Sequence, residues 1–429
     1  MIDRTINPDK DIQLRTSDID RSKLEPRYYT MSNGRKITIF DSNSIDIIKV
    51  DFVFEAGKAY QAKKVVALMT NKLITEGTSK HTAKEIAEIL DFRGIYIDKS
   101  IDSTSAFVSV LMIKKYVQEI LPLLYEILTD SIFPENEFQV ALNKGKQSFL
   151  NDMMKPQYVA RRNFYQAVFG EDHVYGSFAT ESDFDKITTD DVRGFFKEHY
   201  LVDCCDIYLS GNVDDEILST VNSIFGSGAH CTKTSDIIIP QPIFNESQKL
   251  FIPKADAVQS AIRIGKVIDT TWDTTDFAEL MIANTILGGY FGSRLIANVR
   301  EDKGYCYSIY SLLQCYRGVN VFFITTEVGK DVTDNAVKEI HTELYNMATK
   351  PVDEEELSVV KSYLIGDFIR SIDGVFEIAE RYKQMCANHS SEVFTDNYLK
   401  AINTITPEKI CQISSKYLQP ESMTQVIVG

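Results

Sequence analysis

The sequence predicts an α+β fold built of two similar halves. Two observations carry this. The run ITTDDVRGFFKEHYL from Ile187 to Leu201, followed by the strand-like DIYLSGNV from Asp206, recurs as ITPEKICQISSKYL from Ile405 to Leu418, followed by TQVIVG. Ile187 and Ile405 lie 218 residues apart, about half of the 429-residue chain, as an internal duplication requires. Upstream, SIFPENEFQVALNKGKQSFL from Ser131 matches ATKPVDEEELSVVKSYLIGDF from Ala348. Each has an apolar helix end, a proline-acidic cap and a long helix.

The elements follow in chain order. Residues 1–27 form an N-terminal arm without periodicity, and its charged sequence lacks the apolar core of a secretion signal. Asn33-Gly34 before RKITIF marks a hairpin turn that opens the first half, residues 28–225. IIKVDFVFEAG reads as a strand followed by a helix with an apolar stripe, and SAIRIGKVID reads the same way in the second half, residues 249–429. In both copies of the repeated helix, Ile-Thr precedes an acidic first turn, as an N-cap threonine requires. Glycine, serine and two prolines at 226–248 indicate the linker between the halves.

Composition excludes several functions. Lys+Arg 46 against Asp+Glu 61 gives a net charge of −15, which repels nucleic-acid backbones. No window approaches the ~20 consecutive apolar residues of a bilayer span, so no membrane association is expected, and a cytoplasmic location is the default. Seven scattered cysteines, Cys204 and Cys205 adjacent, read as free thiols of a reducing compartment. No two of the six histidines lie within five residues of each other, so a helical metal pair is absent. GxSxG, P-loop and GxGxxG signatures are also missing.

The most informative stretch is ANTILGGYFGSRLIANVREDKGYCYSIYS, from Ala283 to Ser311. A helix is expected to end at Gly288-Gly289. A second amphipathic helix carries Leu295, Ile296 and Val299, and REDKG leads into a strand. Arg300 and Tyr307 fall where helix gives way to strand, a place from which donors reach over a cleft on rigid backbone. A guanidinium and a phenol together can stabilise a developing oxyanion. The structural alternative is that Arg300 pairs with Glu301 or a neighbour while Tyr307 fills core.

This stretch resembles the second half of the inverted-zincin metallopeptidases, the insulinase and pitrilysin family, through Gly288-Gly289, Ser293-Arg294-Leu295, Arg300-Glu301 and Gly304-Tyr305-Cys306-Tyr307-Ser308. FVFEAGKAYQ, the EGTSKHTAKEIAEIL helix start at Glu76, Gly94 and Pro134-Glu135 extend the likeness from about Tyr28 onward. The resemblance implies two α/β halves, each a mainly antiparallel sheet packed with helices, enclosing a peptide cavity. In active relatives HxxEH lies just before the Gly-Thr that is Gly77-Thr78 here. Its two histidine positions fall on Leu68 and Lys72, and its glutamate position on Asn71. A third ligand is expected in the run from Ser148 to Asp152, where only Asp152 bears a carboxylate.

The likeness therefore implies a chain without zinc or cofactor, inactive alone, similar to the non-catalytic subunit of the two-chain processing-peptidase type. Its partners would be a homologous active zinc-peptidase subunit, with zinc in that partner, and extended or unfolded peptides. Arg300 and Tyr307 would act there in trans, stabilising the oxyanion and orienting the substrate backbone. The alternatives are a non-proteolytic peptide-binding or structural scaffold of the same fold and an active peptidase with an unrecognised metal site.

Overall fold

The computed structural model describes residues 16, 19, 21–228, 237–240, 242, 247–389 and 393–429. Most of the expected linker and arm thus lies outside the described residues. The chain divides into two compact units. One contains Glu25–Gln241 together with Gly374–Ala387; the other contains Pro242–Asp373, Asn388–Gly429 and the described residues up to Leu24.

The first unit is built on a six-stranded sheet of order β1-β2-β6-β3-β5-β4. Its strands are β1 (Arg27–Thr30), β2 (Lys36–Asp41), β3 (Ile47–Phe54), β4 (Tyr96–Ile101), β5 (Ala106–Ile113) and β6 (Asp206–Gly211). β1 and β2 pair antiparallel across the turn in which the Met31 N–H donates to the Arg35 carbonyl at 2.8 Å. Gly34 there has φ +81°, a left-handed conformation that glycine adopts without strain, as the Asn-Gly pair predicts. The helices are α1 (Val66–Leu73), α2 (Ala83–Phe92), α3 (Val117–Asp130), α4 (Glu135–Met153), α5 (Pro156–Phe169), α6 (Glu181–Phe184), α7 (Thr189–His199) and α8 (Asp215–Phe225).

The second unit repeats this order. Its five-stranded sheet runs β7-β11-β8-β10-β9, which is the order β2-β6-β3-β5-β4 carried over strand for strand. The strands are β7 (Lys249–Ile252), β8 (Gln259–Ile268), β9 (Cys306–Tyr316), β10 (Val319–Gly329) and β11 (Thr424–Val428). Its helices include α9 (Thr275–Asn284), α10 (Thr333–Thr349), α11 (Glu354–Arg370), α13 (Val393–Thr404) and α14 (Pro407–Tyr417). In both sheets only the β2–β6 and β7–β11 pairs are parallel. The two copies of the repeated helix, α7 and α14, start alike: the hydroxyls of Thr188 and Thr406 accept the backbone N–H of Asp191 and Lys409.

Central strands in these sheets are buried on both faces, so the alternation expected of β3 is incomplete. Ile48, Val50, Phe52 and Phe54 enter the main core of the first unit, while Val53 joins a small cluster with Phe107 and Tyr208 on the opposite face. That opposite face is covered by α12 (Val375–Ala387), a helix that the sequence places in the second half. The correction has a simple cause: β3 carries Lys49 and Asp51 on this face, and α12 supplies their partners. Lys383 on α12 approaches Asp51 at 2.8 Å with both side chains almost fully buried. Lys49 adds Asp51 at 3.4 Å and Glu380 at 3.0 Å. The Ser109 hydroxyl donates to Asp51, and Tyr382 joins Tyr28 through their hydroxyls at 2.8 Å.

One further expectation changes. Cys204 is disulfide-bonded, so the reading of every cysteine as a free thiol fails. Among the described residues of the arm, Ile19 is buried in the core of the second unit. No helix among the described residues is long and apolar enough to cross a membrane.

The ionic contact under α12 makes two predictions. Lys383→Met leaves the buried Asp51 with only the longer Lys49 contact and the Ser109 hydroxyl, at a cost of about 3 kcal/mol, and Lys383→Met with Asp51→Val recovers most of it. Denaturant unfolding of the single and double variants checks both. Burial raises the Glu380 carboxyl, but hydrogen bonds from Lys383 and Gln384 outweigh it and bring the group down to about 2. A depressed acid stabilises fully above its unfolded-state range and loses that contribution as pH falls toward its folded value. Stability should therefore decline between pH 5 and pH 2, and less steeply in Glu380→Gln.

Candidate functional site

The positions singled out by the sequence fall into two groups, one in each unit. Leu68, Asn71 and Lys72 sit on α1 of the first unit. Leu68 is 44% exposed and offers no lone pair to a metal. Asn71 is buried, and its amide points at the Phe107 carbonyl, 3.4 Å away, on the neighbouring strand β5. Lys72 is exposed and cationic. In the run from Ser148 to Asp152, Phe149 packs against Phe184 with ring centroids 5.5 Å apart, and Asp152 is held by Lys155 at 2.8 Å. Among the described residues no group of three or more His, Cys, Asp or Glu side chains could hold a metal ion. This donor set does not fit zinc.

The second group is built by two irregularities of backbone. α9 does not end at Asn284 but passes into a π-helical segment, Thr285–Gly289, and a second π-helical segment spans Ile296–Asp302. This corrects the expected amphipathic α-helix: the apolar residues Ile296 and Val299 are buried as foreseen, but the turn is wider. Such insertions are rare and re-aim the side chains that follow. Arg300 lies in the second segment, which closes through Gly304 at φ +65° onto β9.

On β9 the register with β10 slips. Ile309 faces Thr326 and Cys306 faces Val328, so Tyr307 and Ser308 together oppose the single residue Glu327. This is a β-bulge, and the Thr326 hydroxyl pins it by donating to the Ser308 carbonyl at 2.8 Å. The bulge turns Tyr307 outward, leaving it 87% exposed. The two irregularities bring the pair together: the Arg300 guanidinium carbon lies 5.6 Å from the Tyr307 ring centroid. Neither pairing with Glu301 nor burial of Tyr307 occurs among the described residues. Burial pushes the neighbouring Cys306 thiol up, so no thiolate competes as a nucleophile.

Sequence reading missed a third member. Phe291, at the tip of the glycine-rich loop, lies 5.3 Å from the same guanidinium and is 65% exposed. The glycines around it are steric requirements. A Cβ on Gly288 would meet the Ser311 backbone nitrogen at 2.7 Å, and one on Gly292 would meet the Tyr290 ring at 2.8 Å. The only available signal was a large aromatic between glycines, which is too common to single out.

Residues 186–364 match the family model described as "Peptidase M16 inactive domain". Relatives span nearly the whole chain. An "Uncharacterized zinc protease" of Rickettsia felis is 22% identical over 406 residues, 93% of this chain and 96% of its own. The "Non-peptidase homolog YmxG" of Helicobacter pylori is 23% identical over 337 residues, 74% of each chain. The crystal structure of a peptidase M16 inactive domain from Pseudomonas fluorescens superposes with a TM-score of 0.83 at 20% identity, covering 94% of this chain and 98% of that one. The names of the relatives differ in whether they assign catalysis. The chain is similar over most of its length to proteins of the peptidase M16 family, and residues 186–364 match the inactive domain of that family.

Proposed function

We propose that this chain is the zinc-lacking subunit of a two-chain zinc metallopeptidase and presents Arg300 and Tyr307 in trans to peptides at the partner's site. The observation that carries the reading is the contrast within one chain. The zinc positions have become an aliphatic, a buried amide and a lysine. Meanwhile a π-helical turn and a β-bulge hold a guanidinium and a phenol side by side on the surface.

Chemically, the pair offers donors and no acceptor stronger than a phenol oxygen. Stacking on aromatic faces uses the π face of the guanidinium and leaves its in-plane N–H groups for a planar oxygen acceptor. A peptide carbonyl fits that geometry, and fixed donors bind its oxygen more strongly as negative charge develops there. Arg300 would hold the oxygen and Tyr307 would fix the peptide's direction, while zinc belongs to the partner. The net charge of −15 favours basic, extended peptides over acidic ones. A purely structural scaffold would have no use for the exposed pair.

Arg300→Ala and Tyr307→Phe should each leave assembly with a zinc-bearing homologue intact and lower kcat of the complex by about 10²-fold. Arg300→Lys should rescue only part, because a point charge does not replace the planar fork. Steady-state peptide cleavage together with size-exclusion chromatography checks this, and unchanged turnover contradicts it. Equilibrium dialysis of the purified chain should find no stoichiometric zinc; tight one-to-one binding would revive an unrecognised metal site.

A further inference from the structure

Phe291 is expensive to leave in water. A large aromatic is strongly stabilised by full burial, yet the fold leaves this one 65% exposed beside an equally large and still more exposed Tyr307. The loop that carries it is not loose. Tyr290 packs against Tyr363 of α11 with ring centroids 5.0 Å apart, and its carbonyl accepts the Ser293 N–H at 3.1 Å. Arg294 clasps Glu356 of α11 through two hydrogen bonds, at 2.8 and 2.5 Å. Gly292 has no room for a side chain beside the Tyr290 ring. Residues on either side of Phe291 are thus fixed to the unit, and Phe291 alone projects.

Its one described ring neighbour is Arg300, whose guanidinium also lies over Tyr307. A cation over exposed rings is attracted weakly, which does not offset the exposure of both rings. Exposed aromatics beside a positioned polar group are the usual make-up of an anchor point, where apolar contact supplies affinity and the polar group supplies orientation.

We propose that Phe291 is the specificity-determining residue of this site, packing against a bulky apolar side chain of the peptide whose carbonyl Arg300 and Tyr307 hold. The inference rests on the peptide-binding reading above and adds a ligand class to it: extended peptides with an aromatic or large aliphatic residue at the held position. Phe291 also limits the swing of the Arg300 side chain, so it acts on the carbonyl contact as a positioning residue.

The test uses the full chain and fluorescein-labelled host peptides of Lys, Ser and Ala that carry Phe or Ala at the centre, read by fluorescence anisotropy. The wild-type chain should prefer the Phe peptide by about tenfold, the worth of part of a buried aromatic side chain. Phe291→Ala should narrow the preference to within about twofold, and Phe291→Trp should restore it. An unchanged preference in Phe291→Ala, with Arg300→Ala weakening both peptides, overturns the role of Phe291 and leaves the Arg300 site standing. If Arg300→Ala binds both peptides as tightly as wild type, or if neither peptide binds the wild-type chain, the peptide-binding reading fails and Phe291 fails with it. Circular dichroism of each variant confirms folding, which an exposed side chain should not affect.

Discussion

The close approach of the helix end to β9 is the constraint on which the site depends. Gly288 packs where even a methyl group would meet the Ser311 backbone at 2.7 Å, and Asn284 closes the contact by exchanging hydrogen bonds with Ser311. A regular α-helix of the same sequence would carry its residues past the strand at a different angle. The wider π-helical turn lets the apolar residues reach the core while the chain still rejoins β9. The positions of Phe291, Arg300 and Tyr307 follow from that compromise. Steric necessity at one glycine thus decides which side chains reach the surface together.

Duplication lets the two units carry different surface residues on the same framework. The two sheets share strand order, and α1 and α9 occupy corresponding places after β3 and β8. Each unit has its own core, so substitutions on α1 need only satisfy packing in the first unit. Asn71 does so by burying its amide against a strand carbonyl, where a carboxylate would require a counter-charge. The second unit was free to hold its irregular backbone, since its core does not depend on α1. The face of the first sheet beneath α12 shows the opposite regime. There a charged network closes the structure, and removing one member weakens the compensation of the buried ions that remain.

Much of this was legible in the sequence, for local reasons. The Thr188 and Thr406 caps, the Asn33-Gly34 turn and the 218-residue offset between copies depend on neighbours a few residues away or on direct comparison of two segments. Arg300 and Tyr307 were singled out by residue type at the helix-to-strand junction together with the family resemblance, and their side chains lie side by side. What escaped was non-local. The π-helical turns depend on Ser311 lying against Gly288, the bulge at Tyr307 on Glu327 opposite, and the placement of α12 on Asp51 more than three hundred residues earlier. Phe291 escaped because an aromatic acquires meaning only beside the guanidinium that lies over it.

The central claim is that this chain works as one of two. Its most direct test is purification of the endogenous chain under native conditions, with mass spectrometry of what elutes beside it. A homologous chain with an intact HxxEH, in near-equal ratio, is the predicted result. Elution alone, or with proteins unconnected to proteolysis, would contradict a site acting in trans and make the fold a scaffold.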